Sequence, residues 1–130
     1  MGFFSTLFVK NCPFSFCIMV FTSEGGQDMQ LYVTENGDTF TLALVGELDE
    51  RSASELRRKT DLAIDEYAHL SRAEFDLSGV TFMDSTGIGF LIGRYKRLSR
   101  FGIPAYIRGV NAETDKILSI SGVYALMPKM

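Results

Sequence analysis

The sequence predicts an α/β fold, in which a mixed β-sheet opens with an antiparallel hairpin and continues with parallel strands covered by helices. The dipeptide Asn36-Gly37 separates two runs rich in β-branched and aromatic residues, 31–33 and 39–45, and this arrangement is a strong hairpin signal. Downstream, short apolar runs alternate with segments of helical periodicity, as in parallel strands joined by helices. The length of 130 residues indicates one domain.

The first helix is predicted to follow the hairpin. Ser52 and Glu55 have the spacing of a capping box, so we expect the helix to begin there. We expect it to run to about Leu70, because side chains of one face recur at steps of three and four. These side chains are Ala53, Leu56, Thr60, Ala63, Tyr67 and Leu70.

A second unit of strand and helix comes next. Phe75 to Leu77 predicts a short strand, Ser78-Gly79 a turn, and Val80 to Met83 a compact apolar run. Asp84 to Thr86 supplies capping side chains for a second helix, which should end near Gly102. Its predicted buried stripe consists of Ile88, Leu91, Ile92, Tyr95 and Leu98.

The last part of the chain predicts one more strand and a short helix. Pro104 to Arg108 has the composition of a strand, and Asn111 has the position of a helix cap. Gly122 should end this helix, before a final apolar piece from Val123 to Met127.

Residues 1–28 form an N-terminal extension that we exclude from the domain at 29–130. Lys10 and Pro13 interrupt its apolar run, so it falls short of the roughly 20 residues that span a bilayer, and it lacks the pattern of a secretory signal. We expect this extension to be disordered, or to arise from a mis-assigned start with translation beginning at Met29. A purine-rich ribosome-binding sequence, if it were translated in frame, would encode Glu24-Gly25-Gly26, which lies just upstream of Met29. A peripheral apolar tail is the alternative.

Composition excludes several classes of function. The net charge of -3 offers no basic surface for nucleic acid. Both cysteines, Cys12 and Cys17, lie in the extension, so the domain has neither a disulfide framework nor a four-ligand cysteine metal site. We therefore expect a cytoplasmic protein with no cofactor and no membrane span.

The chemically informative run extends from Met83 to Gly89, with the sequence MDSTGIG. Ser85 should lie where a strand ends and a helix begins, so its hydroxyl is expected to be accessible near free helix N–H groups, a place that suits a phosphate. Asp84 would lie beside that phosphate, and Gly87 and Gly89 would let a partner approach closely. The alternative is that Asp84 and Ser85 only cap the helix.

Enzymatic readings fit less well. A hydrolase elbow has glycine two residues before the serine, where this chain has Met83. The single histidine, His69, lies near the end of the first predicted helix, where a favourable interaction with the helix dipole accounts for it. The glycines of Gly87-Ile88-Gly89 imitate a dinucleotide fingerprint, but the next strand ends at Arg108 without an acidic residue for a ribose. We therefore predict that the protein is not an enzyme.

Three segments resemble a known family. Val45 to Asp49, Phe82 to Gly89 and Gly93 to Lys96 are similar to the sulfate-transporter and anti-sigma-antagonist (STAS) domain, and within it to the anti-sigma F factor antagonists of endospore formers. The resemblance extends from about Met29 to Met127. It implies a STAS-like mixed sheet with helices packed mainly on one face, and a domain that continues into a C-terminal helix, which this chain does not show.

The resemblance also implies a function in sporulation control. The unphosphorylated form would bind an anti-sigma serine kinase and free a sigma factor; the kinase would then use ATP to phosphorylate Ser85 and dissociate, and a serine phosphatase would restore the first form. Asp49 would lie beside Ser85. A STAS interaction module of another pathway, in general stress signalling or a sensory complex, is the alternative. The implied partner-binding residues are Asp49, Asp84, Ser85, Thr86, Gly87 and Gly89.

Overall fold

The computed structural model describes residues 4–9, 16–22 and 28–130, with side chains from residue 30 onward. One sheet has the strand order β1-β2-β3-β4-β5-β6; its first four strands are antiparallel, and β4, β5 and β6 are parallel. This confirms the predicted mixed α/β fold. In chain order the elements are β1 Phe4–Val9, β2 Phe16–Thr22, β3 Asp28–Asn36, β4 Thr39–Leu48, α1 Glu50–Glu66, β5 Arg72–Met83, α2 Ser85–Arg100, β6 Ala105–Arg108, α3 Ala112–Ser121 and α4 Val123–Leu126.

The predicted hairpin is formed by β3 and β4. Asn36 pairs with Thr39 across a two-residue turn, and Gly37 has a φ of 64°, which glycine adopts at little cost. Alternate side chains of β4 are buried, so one face of the sheet carries the core.

The predicted turn at Ser78-Gly79 is wrong, because β5 continues through it. The pairing with β4 shifts twice, and each shift leaves one extra residue on β5, near Ser78 and at Thr81. Gly79 serves a close approach of the two strands: a Cβ there would lie 2.7 Å from Cγ2 of Val45. The residues that suggest a turn therefore form a bulge.

Helices α1 and α2 contribute most of the helical core. The predicted face of α1 is confirmed from Ala53 to Tyr67, although the helix ends at Glu66 and Leu70 lies beyond it. The face of α2 is rotated from the predicted stripe, since Phe90 is buried whereas Ile88, Ile92 and Tyr95 are half-buried. The buried residues of α2 are Gly87, Phe90, Leu91, Arg94 and Leu98.

The two ends of the chain add further structure. β1 and β2 lie in the stretch that the sequence analysis assigns to an N-terminal extension. The nature of this extension and translation from Met29 stay predictions. The final apolar piece forms α4, and Lys129 then makes a parallel bridge to Ile107. Among the described helices, none has the length and apolar character to cross a membrane.

Two phenylalanines of β5 test the position of the core. Replacing fully buried Phe75 with alanine should lower the free energy of unfolding by about 3–5 kcal/mol. The same substitution at Phe82, which is 50% exposed, should lower the free energy of unfolding by less than about 1 kcal/mol. Urea denaturation measures both, and equal losses would contradict this assignment of the two faces.

Candidate functional site

The ends of β4 and β5 bring the predicted site residues together. Leu48 pairs with Met83 in the parallel register, so Asp49 and Asp84 follow at the same edge of the sheet. Neighbouring strands lie about 4.8 Å apart, and the two aspartates therefore occupy adjacent positions. Each aspartate is the N-cap of the helix that follows it.

Asp49 begins α1 through a capping box. Its carboxylate accepts hydrogen bonds from the backbone N–H groups of Arg51 at 3.0 Å and Ser52 at 3.2 Å, and its own N–H donates to Oγ of Ser52 at 3.2 Å. The predicted box of Ser52 with Glu55 is wrong, because Ser52 is the third helical residue and not the cap. The buried Ser52 hydroxyl also donates to the carbonyl oxygen of Glu47 at 2.8 Å, which ties the helix start to the strand end.

Asp84 caps α2 in a similar way. Its Oδ1 accepts from the N–H groups of Thr86 at 2.9 Å and Gly87 at 3.3 Å. Ser85 is the first residue of α2 and is exposed, so the structure places its hydroxyl where the sequence predicts an accessible group. The prediction that free N–H groups of the helix await a phosphate is wrong for Thr86 and Gly87, because Asp84 already occupies them.

The two glycines of the motif differ in their surroundings. Gly87 is buried, and a Cβ there would lie 2.5 Å from Cγ of Met83 and 3.1 Å from Cγ of Leu48. Its missing side chain lets α2 pack against the strand ends, and the use of Gly87 for partner approach stays a prediction. Gly89 is exposed, and a Cβ there would meet no atom within 4 Å.

An exposed aromatic side chain borders the site. Phe82 lies three residues before Ser85 and is 50% exposed, and Thr81 is exposed as well. The extra residue on β5 at Thr81 breaks the alternation of the strand, which turns both side chains away from the core. Sequence reasoning missed this feature, since a strict strand period gives no signal for a bulge.

Ion pairs join the two capped helices. Nε of Arg94 on α2 lies 2.9 Å from Oδ1 of Asp61 on α1, and Nη2 of Arg97 lies 2.7 Å from Oδ2 of Asp65. Burial lowers the pKa of Arg94, whereas the neighbouring Asp61 raises it. Arg94 is buried, because it lies on the side of α2 that faces α1.

Other candidate chemistry does not gather here. His69 is exposed beyond the end of α1 and stacks on Tyr67, and it precedes β5 whereas Ser85 follows β5. Within the described part of the chain, no three histidine, cysteine or carboxylate side chains are close enough to hold a metal ion.

Comparison with known proteins identifies the family. The family model described as "STAS domain" matches residues 30–130. The chain belongs to the STAS domain family. The STAS domain of this chain is 29% identical to the anti-sigma F factor antagonist of Paenibacillus polymyxa over 101 residues, which cover 78% of this chain and 86% of that protein.

Further relatives of this STAS domain have related names. The anti-sigma-B factor antagonist of Staphylococcus epidermidis is 28% identical over 100 residues, which cover 77% of this chain and 91% of that protein. The structure of the Bacillus cell fate determinant SpoIIAA in the phosphorylated form has a TM-score of 0.58 and 23% identity, covering 77% of this chain and 90% of that chain. This structural similarity confirms the STAS-like fold.

Alanine substitutions at Gly87 and Gly89 should change the stability of the domain in opposite directions. Gly87→Ala should lower the free energy of unfolding by about 1–3 kcal/mol, because the new Cβ overlaps Met83. Gly89→Ala should raise it by about 0.5–1 kcal/mol, since the position is exposed in a helix and alanine has the higher helix propensity. Thermal and urea unfolding measure both variants. A stabilised Gly87→Ala variant would contradict the packing described for α2.

Proposed function

We propose that this STAS domain is an anti-sigma factor antagonist that acts by partner switching and is not itself an enzyme. Its unphosphorylated form binds an anti-sigma factor with serine kinase activity and frees the sigma factor, in the cytoplasm. Phosphorylation of Ser85 then ends the interaction, and a serine phosphatase reverses it. The observation that carries this proposal is the exposed position of Ser85 at the start of α2, directly after the capping Asp84.

The relatives support the same class of function. Two of them are named antagonists of anti-sigma factors, and a structurally similar protein is known in a phosphorylated form. Sporulation control is the first candidate pathway, supported by the anti-sigma F factor antagonist. General stress control is the second, supported by the anti-sigma-B factor antagonist.

The local hydrogen bonds around Ser85 support an effect of its phosphate on the partner. The kinase transfers the γ-phosphoryl group of ATP to Oγ, with loss of the hydroxyl proton, and about 1.5 to 2 negative charges are added. Because Asp84 already accepts from Thr86 and Gly87, these amides are not available to the phosphate. The new charge stays at the surface, and the fold survives.

Carboxylates near Ser85 add to the negative charge that a docked partner would meet. The carboxylates of Asp49 and Asp84 lie at the same sheet edge, and exposed Glu50 lies in the first turn of α1. A further unit charge about 4 Å from a charge of the docked partner changes the interaction by roughly 4 kcal/mol at an effective dielectric constant of about 20. Half of that energy corresponds to about a thirtyfold weaker complex. A phosphate at Ser85 therefore suffices for release.

Phosphorylation of the full chain tests the proposal directly. After incubation with ATP and either an anti-sigma F or an anti-sigma B serine kinase, intact-mass analysis should show one phosphate. The Ser85→Ala variant should stay unmodified, whereas Thr86→Ala, which removes the neighbouring hydroxyl, should be modified like the wild type. Comparison of the two kinases separates the two pathways. Absence of phosphate with both active kinases, or a phosphate on Ser85→Ala, would overturn the proposed switch.

Phe82 provides a second test, because it is 50% exposed and lies three residues before Ser85 in the chain. Phe82→Ala should weaken binding to the phosphorylating kinase, measured by calorimetry without ATP, by roughly tenfold. Leu62→Ala is the matched control, since Leu62 is 55% exposed in the C-terminal half of α1, away from the strand ends. Equal weakening by both substitutions would contradict the proposed binding surface.

A further inference from the structure

Asp84 and a phosphate on Ser85 would compete for the same backbone amide. Oδ1 of Asp84 accepts a hydrogen bond from the N–H group of Thr86 at 2.9 Å, and this carboxylate caps α2. Ser85 is the first residue of the helix, so a phosphate on it lies close to the same amide, which attracts negative charge. The first turn of α2 contains no acidic residue. Within this turn, the competing anions are therefore the Asp84 carboxylate and the phosphate.

The amide of Thr86 reports this competition better than the amide of Gly87. The N–H group of Gly87 also donates to the carbonyl oxygen of Asp84 at 3.0 Å, so it keeps an acceptor when the side chain is removed. Thr86 donates to the carboxylate and is half-buried, and a half-buried N–H group that loses its acceptor is costly. Removal of the Asp84 carboxylate therefore leaves an amide that the phosphate can occupy.

The carboxylate has the advantage in the wild type. Asp84 is half-buried and has the extended backbone of an N-cap, with a φ of -114° and a ψ of -167°. Ser85 is exposed, so its phosphate can stay in water. A phosphate that displaced Asp84 from Thr86 would leave the carboxylate without this donor and close to a second negative group. Both changes are unfavourable.

We propose that Asp84 is a positioning residue that keeps a phosphate on Ser85 directed into solvent, where a docked anti-sigma factor meets it. This inference rests on the proposed function, because it concerns the phosphorylated form. Where position 84 offers no acceptor, the phosphate turns inward to the Thr86 amide, and its repulsion of the partner weakens. The cap of α2 is then a part of the switch as well as the start of a helix.

Phosphoserine incorporated at position 85 of the full chain during translation tests the proposal without a kinase. Two variants separate the acceptor from the charge: Asp84→Asn removes the charge and keeps an oxygen acceptor, whereas Asp84→Gly removes both. Asparagine and glycine are both tolerated at N-caps, so both variants should fold. NMR at varied pH follows the ³¹P resonance of the phosphate and the amide resonance of Thr86.

The two variants should differ in both resonances. In the wild type and in Asp84→Asn, the Thr86 amide should change little as the phosphate titrates. In Asp84→Gly this amide should move downfield with the titration. The second pKa of the phosphate, ordinarily about 6, should be lower in Asp84→Gly than in Asp84→Asn by about 0.5 or more, because the amide favours the dianion. An equal phosphate pKa in the two variants, or a wild-type Thr86 amide that follows the phosphate, overturns the proposal.

Binding to the anti-sigma kinase without ATP, measured by calorimetry, supplies the functional readout. Each phosphorylated chain is compared with the unphosphorylated form of the same variant. Phosphorylation should weaken binding by about thirtyfold in the wild type and in Asp84→Asn, and by less than about tenfold in Asp84→Gly. Equal losses in the two variants contradict the role of Asp84 in release. A wild type that loses no affinity overturns the proposed function instead, whereas the NMR titration alone decides where the phosphate lies.

Discussion

The parallel pairing of β4 with β5 is the constraint on which the rest of the structure depends. It aligns Leu48 with Met83, so that two helices start side by side at one edge of the sheet. Each helix then needs an acceptor for its first N–H groups, and an aspartate supplies it in both cases. Ser85 owes its exposed position to this arrangement, because it follows the cap and does not have to serve as one.

The ion pair between Arg94 and Asp61 links α1 and α2 at a second place, away from the sheet edge where the two helices begin. Arg94 is buried against Asp61, and a buried charge that loses its partner is strongly destabilising. The two helices are therefore coupled along their length as well as at their caps. This coupling supports the adjacent positions of Asp49 and Asp84, because a shift of either helix would weaken the contact between buried Arg94 and half-buried Asp61.

The sequence predicted elements whose signals are local. The Asn36-Gly37 turn, the apolar face of α1 and the N-cap at Asn111 follow from residue type and spacing, and the structure contains all three. The predicted start of α1 differs from the observed one because both Asp49 and Ser52 have side chains that can cap a helix. Only the tertiary structure shows that the Ser52 hydroxyl donates to the carbonyl oxygen of Glu47.

The features that sequence reasoning missed depend on tertiary contacts. The bulges of β5 arise from its register with β4, and the burial of Arg94 arises from the placement of α1, neither of which has a local signal. For the candidate site, the position of Ser85 was predictable from the strand-to-helix transition. The engagement of the helix amides by Asp84 and the burial of Gly87 required the actual geometry of the turn.

The bulge at Thr81 also separates the residues of β5 that form the core from the residues that lie next to the candidate site. In a regular strand, every second side chain is committed to the core, and a change beside the site would alter packing. Here Val80 and Met83 are buried while Thr81 and Phe82 between them are exposed. The surface beside Ser85 can therefore vary in shape and chemistry with little effect on folding. Related domains could acquire different binding preferences on an unchanged scaffold through substitutions at these two positions.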